Sequence, residues 1–171
     1  LSLGTSPVIV SLVAAVFTAA MLVWAAPHFL GFGGDTSGPA FALPRGVVLF
    51  IGILCFIVFL TEGAILDWSA VFLTFTRGAD PAHAGFGYAA FATTMTIGRL
   101  SGDAIVRRVS RTTIILVGGL LAASGLLVAT LVPSVTAAMI GFAMIGAGCS
   151  NIVPVLYSAI GKQTLMPESV A

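Results

Sequence analysis

The sequence predicts an all-α fold, a polytopic transmembrane bundle of five helices. Three observations predict it. Hydrophobic residues make up 58% of the 171 and charged residues only 8%, whereas a soluble domain carries about a quarter charged. Four stretches are apolar for about the thickness of a bilayer and a fifth, near the N-terminus, nearly is. The few Lys, Arg, Asp and Glu residues stand mostly at the ends of those stretches, as in membrane proteins that cross the bilayer repeatedly.

The first run extends from about Pro7 to Ala26 and is closed by Pro27-His28. Residues 31–39, rich in glycine and turn formers, make a connector without helical period. Pro44-Arg45 ends it, with proline suited to the mouth of a helix. The second run starts at Gly46 and ends near Phe75, carrying Glu62 and Asp67. A helix of that length rises about 45 Å, beyond the hydrocarbon core, so its outer third protrudes, tilts or breaks. Gly63 is the candidate weak point. Arg77-Gly78-Ala79-Asp80-Pro81 reads as a turn. The third run goes from Gly85 to about Ile105 and the fourth from Thr112 to Leu131. Pro133-Ser134 reverses the chain into the fifth, about Val135 to Ile160.

Glycine and alanine recur in the last two runs, at Gly118, Gly119, Ala122, Ala123, Gly125, Gly141, Gly146 and Gly148. In lipid, helices associate by van der Waals contact, and small residues let backbones approach closely. Cys55 and Cys149 both lie in apolar runs and read as small buried hydrophobes, not as a disulfide framework or zinc site. The chain starts at Leu1 without a charged leader, and both ends look cut, so a fragment of a longer protein is expected.

Basic residues orient the bundle. Five crossings put Arg45, Arg99, Arg107, Arg108, Arg111 and Lys162 on one side and only Arg77, beside Asp80, on the other. The first side is therefore expected to be cytoplasmic.

One motif stands out at the end of the third run: Gly98-Arg99-Leu100-Ser101-Gly102-Asp103, followed by Arg107, Arg108 and Arg111. Arg99, Asp103 and Arg107 are spaced by four, so all three can share a helical face. Asp103 is expected near a helix C-terminus, where the macrodipole disfavours a carboxylate, and so to need a cationic partner. The plain reading is a topology anchor. The motif also resembles the signature loop of the major facilitator superfamily, which recurs between the second and third helices of each six-helix half. Because two helices and a long connector precede the motif's own helix, the chain resembles the sixth to tenth helices of that fold. The resemblance implies that residues 1–26 are the last helix of the N-terminal half. Residues 27–45 would be the cytoplasmic link, and residues 46–171 four helices of the C-terminal half. It further implies a cytoplasmic gate in which Asp103 and the arginines latch the inner side and release it as the halves rock. Val106 stands where the family commonly has glycine. The segments Glu62-Gly63-Ala64 and Asp67-Trp68-Ser69 resemble a bacterial branch near the sugar:proton symporters.

Glu62 and Asp67 are the acids embedded in an apolar run. An acid at the bilayer centre costs about 2.5–3.5 kcal/mol on insertion scales, so it faces a bundle interior or water. Helix rise from Gly46 puts Glu62 in the outer half and Asp67 near the outer boundary, about 140° apart around the axis. Glu62 reads as a proton-coupling or substrate contact, or as a structural pairing, and Asp67 as a solvated group at the outer mouth. In the fifth run Cys149-Ser150-Asn151 and Pro154 interrupt the apolar sequence. Pro154 can kink the helix beside a cavity. Asn151 can hydrogen-bond a ligand or, equally, a neighbouring helix. Thr93, Thr94 and Thr96 either line the cavity or back-bond to their own helix.

Other chemistry is not expected. His28 and His83 lie in connectors, so neither a metal site nor a histidine base within the membrane is predicted. Ala123-Ser124-Gly125 lacks the partner histidine of a serine hydrolase, and there is no phosphate-binding loop. A net charge of +1 excludes nucleic-acid binding through a general basic field. The sequence thus predicts no enzyme and no cofactor. It predicts a secondary transporter of a small solute, coupled to protons, in the bacterial inner membrane. Its partners would be lipid, substrate, protons and the missing helices of the same chain. The competing expectation is a receptor or scaffold that keeps the fold without transporting.

Overall fold

The computed structural model describes residues 6–28 and 46–160. The connector beyond His28, with Arg45, and the C-terminal segment with Lys162 lie outside the described residues. Among those described, every regular element is helical. Four helices are long and apolar enough to cross a membrane: Val8–Ala25, Val47–Thr76, Arg111–Leu131 and Val135–Ile160.

The first helix, α1 (Pro7–Ala25), starts on a proline and passes into a short 3₁₀ turn, Ala26–His28. It belongs to one compact unit, and the later helices form a second. In the second unit α2 (Val47–Val71) begins after Gly46, whose φ of 58° only glycine adopts freely. The helix passes through Gly63 unbroken, contrary to expectation. Its irregularity comes later, as a π-helical turn at Phe72–Thr76. Gly78 then turns the chain at φ 70°, and the Asp80 carboxylate accepts from Ala82 N at 2.8 Å to start the short 3₁₀ turn Pro81–His83.

The third predicted helix is interrupted. Helix α3 (Phe86–Leu100) ends at Ser101, and α4 (Gly102–Arg108) resumes at once. Ser101 N donates to Ile97 O, and its own carbonyl accepts from Ala104 and Ile105, so the break is one residue deep. Helix α5 (Arg111–Leu131) is capped by Ser110, whose hydroxyl accepts from Thr113 N, and α6 (Val135–Cys149) by Ser134, which accepts from Ala137 N. Helix α7 (Ile152–Ile160) follows after a break at Ser150–Asn151. Pro154 therefore does not interrupt a helix. It stands in the first turn of α7, where its missing N–H removes no intrahelical bond.

Helix α6 is the axis of this unit, packed between α3 and α5, with α2 and α7 completing the core around Ile145, Phe142 and Cys149. Glycines allow the closest approaches. A Cβ at Gly141 would run into the Gly125 carbonyl, and one at Gly148 into that of Gly118. Each glycine pair is equidistant from Pro133 (eight residues for the inner pair, fifteen for the outer), as an antiparallel helical hairpin requires. On the other face, Gly146 abuts the Phe91 carbonyl, and Thr94 Oγ1 donates across to Ala143 O at 2.8 Å. At the opposite end from the basic turn, Arg77 donates to the carbonyls of Ala129 (2.8 Å) and Thr130 (2.7 Å), and its guanidinium lies 4.7 Å from the centre of the Phe72 ring. A cation at these last carbonyls of α5 complements the helix dipole.

Candidate functional site

Helices α2 and α3 flank the turn at Asp80 and run antiparallel, so residues equidistant from that turn meet. Near the turn, Leu73 packs over Gly87. Farther along, Glu62 stands eighteen residues before Asp80 and Arg99 nineteen after it. Their side chains form an ion pair, Arg99 Nη2 to Glu62 Oε1, at 3.2 Å. Glu62 retains 22% side-chain exposure and Arg99 47%.

Arg99 stands in the last turn of α3, and nine further residues separate it from the end of α4, about 13 Å of helix. Glu62 stands fifteen residues from the start of Val47–Thr76, about 22 Å along, as its spacing from Gly46 predicts. A carboxylate and a guanidinium thus meet between two apolar helices, the carboxylate half-buried and the guanidinium exposed.

The pair forms part of the wall of a cleft of about 460 Å³ between α2 and α3. Phe59, Tyr88 and Phe91 give it aromatic walls, Met95 adds a thioether and Thr96 borders it beside Arg99. Thr96 Oγ1 donates to Ala92 O at 2.8 Å. Asp67 is not part of this cleft: it is exposed on the same helix, rotated away from Glu62 as their spacing requires.

Asn151 lies elsewhere, buried at the break between α6 and α7. Its Nδ2 donates to Gly98 O (2.9 Å) and to Ser150 Oγ (3.0 Å). Its Oδ1 fills the space a Cβ on Gly102 would need, and Ser150 Oγ fills that beside Gly98. The two motif glycines thus form a small-xxx-small face that lets α3 and α4 sit against a polar helix break. Of the two readings of Asn151, the bond to a neighbouring helix is the one realised here.

Asp103 is in the first turn of α4, not the last turn of a helix, so the dipole favours its charge instead of opposing it. It is exposed, and among the described residues neither it nor Arg107, Arg108 or Arg111 joins an ion pair. These arginines gather where α4 meets α5. Among the described residues Arg107, Arg108 and Arg111 lie at this end of the unit against Arg77 at the other, so the charge bias keeps its sign. Metal-ligating clusters are absent among the described residues.

No protein-family model matches the chain, and no solved structure does. Curated relatives do. The chain is 48% identical over 170 residues to an uncharacterized MFS-type transporter of Yersinia pestis, covering 99% of this chain and 44% of that protein. The chain belongs to the major facilitator superfamily. Two other relatives are more distant: membrane protein MosC of Rhizobium meliloti and an uncharacterized transporter of Sinorhizobium fredii. They are 31% and 28% identical over 86% and 80% of this chain, and 37% and 36% of their own lengths. The chain thus spans less than half the length of the curated relatives it matches. As part of a major facilitator protein, its long apolar helices are bilayer crossings of a multi-pass integral membrane protein.

Proposed function

We propose that this chain is part of a secondary active transporter that moves a small solute by alternating access, coupled to protons, across the bacterial inner membrane. The observation that supports it most is the Glu62–Arg99 pair on the wall of an aromatic cleft. Charged residues on membrane-spanning helices are costly in hydrocarbon, and a purely structural contact would be made more cheaply by apolar side chains. A carboxylate there can take up and release a proton, and doing so switches the attraction that joins α2 to α3.

In this reading residues 1–26 close the first six-helix half, residues 27–45 link the halves at the cytoplasmic surface, and residues 46–171 begin the second half. The solute binds in the α2–α3 cleft, with Glu62 as the coupling group. Asp67 keeps the outer end of α2 hydrated, and Asn151 braces the polar helix break. Gly98 and Gly102 hold α3–α4 close to that break. Asp103, Arg107, Arg108 and Arg111 form the inner gate, whose partners come from chain beyond the described residues. Transport requires the remaining helices of the whole protein.

The test is uptake by the full-length protein in proteoliposomes under an imposed pH gradient, with a mixed panel of labelled solutes. The proposal expects at least one solute to accumulate with the gradient and Glu62→Gln to abolish that accumulation. Accumulation that survives Glu62→Gln contradicts the coupling role. Failure of every solute to move would favour a receptor or scaffold.

A further inference from the structure

The ion pair is chemically asymmetric, and the asymmetry restricts what the cleft can carry. Arg99 keeps its proton at any accessible pH, whereas a carboxylate such as Glu62 can be neutralised. The pair therefore opens from one side only. When Glu62 takes a proton, Arg99 is left as a lone guanidinium on the wall of the cleft, open to a new anion. A cationic solute finds no such opening, because it would have to displace a guanidinium that cannot discharge. A neutral solute leaves the charge of Arg99 unanswered once Glu62 is protonated.

Resting on the transport reading above, we infer that the α2–α3 cleft takes an organic monoanion, a carboxylate or sulfonate on an aromatic or apolar body. Each anion enters with one proton, the proton on Glu62 and the anion on Arg99. The charge count closes. The cleft holds one positive and one negative charge when empty. Loaded, it holds the arginine and the bound anion, so the loaded and empty states carry the same net charge. No bond other than O–H on the Glu62 carboxyl forms or breaks.

The surroundings fit such a solute. Arg99 is the more exposed partner, at 47%, so its unused N–H donors are accessible from the cleft, and a planar guanidinium grips an oxyanion through two parallel bonds. Phe59, Tyr88 and Phe91 offer ring faces and edges to an aromatic body. Other titratable groups near the pair are few. Tyr88 of α3 lines the same cleft, and Cys149 of α6 is buried in the core outside it. Helix α7 packs on α2, and its Val153 and Leu156 are buried in the core. On α2 itself, Asp67 is exposed outside the cleft.

Benzenesulfonate is the decisive probe, because it stays ionised and cannot carry the proton itself. Full-length protein in proteoliposomes is offered labelled benzenesulfonate beside three ring-matched solutes: phenylalanine, benzyltrimethylammonium and a benzyl glucoside. We expect benzenesulfonate to accumulate when the side of addition is more acidic, with no response to an imposed membrane potential. Glu62→Gln should keep benzenesulfonate exchange but lose accumulation, Glu62→Asp should keep both, and Arg99→Gln should lose both while its thermal unfolding stays cooperative. Uptake of the cation, zwitterion or glucoside in place of the sulfonate overturns the monoanion inference and leaves the transport reading standing. Sulfonate uptake that responds to membrane potential overturns the one-proton stoichiometry. If none of the four solutes, nor any of the wider panel, moves, the transport reading itself fails and this inference with it.

Discussion

Two antiparallel helix pairs in this chain are joined in opposite ways. The α5–α6 pair closes on glycines, with Gly125 against Gly141 and Gly118 against Gly148, so that any added side chain strikes backbone. The α2–α3 pair keeps a cleft of about 460 Å³ and one ion pair of 3.2 Å along its length. Backbone-to-backbone packing has one good arrangement, because carbonyl positions cannot be adjusted by a rotamer change. An ion pair bordered by open space has at least two, joined or released. The difference separates a pair closed by backbone contact from a pair held by one ion pair beside open space.

The sharpest way to break the comparison is to overfill the rigid pair. Gly141→Leu should drive α5 and α6 apart and cost more than the roughly 1–3 kcal/mol usual for overpacked cores, because the obstacle is the Gly125 carbonyl. Size-exclusion and thermal unfolding in detergent should show little folded protein. Gly63→Ala in α2 meets nothing within 4 Å and should cost no stability, raising it by up to about 1 kcal/mol as alanine does for glycine inside a helix. Equal losses at the two sites would erase the distinction.

Asn151 offers an intermediate test. It stitches the α6–α7 break to the Gly98 carbonyl, and Asn151→Ala should cost about 1–3 kcal/mol for a lost buried hydrogen bond and unfilled space. The loss is read as a lower unfolding temperature of the whole protein. No shift would mean that this junction carries no weight. A smaller effect is expected at the other end of the bundle. Arg77→Gln removes the guanidinium from the α5 carbonyls and should cost about 0.3–1 kcal/mol, the size of a typical helix-dipole contact. Hydrogen exchange should rise at Ala129–Leu131 and not along α6. Smallest of all, Asp67→Asn, at an exposed position outside the cleft, should leave both stability and solute uptake within error.

Much of this was legible in the residues. Apolar run lengths located four of the five expected crossings to within a few positions, because hydrocarbon thickness sets how much chain must be apolar. The glycines of α5 and α6 announced close packing. The break at Ser101 was not legible: hydropathy reads one run from Gly85 to about Ile105 and cannot say that α3 ends at Leu100 and resumes as α4 to Arg108. For the ion pair a signal did exist: Glu62 and Arg99 lie at matching distances from the Asp80 turn, which places opposite charges side by side in an antiparallel pair. Asn151 was found as a polar interruption, but its partner Gly98 is more than fifty residues away across another helix. No local pattern encodes that contact. Pro154 drew attention to the break one turn late, since proline marks where a new helix can begin as readily as where an old one bends.

The central claim is that Glu62 and Arg99 hold each other across α2 and α3, and a double-mutant cycle on the full-length protein tests it most directly. Thermal unfolding is measured for the wild type, Glu62→Gln, Arg99→Gln and the double variant. Each single change should lower the unfolding temperature by stranding the opposite charge, and the double variant should recover most of the loss. Strictly additive losses would mean that the two charges do not meet.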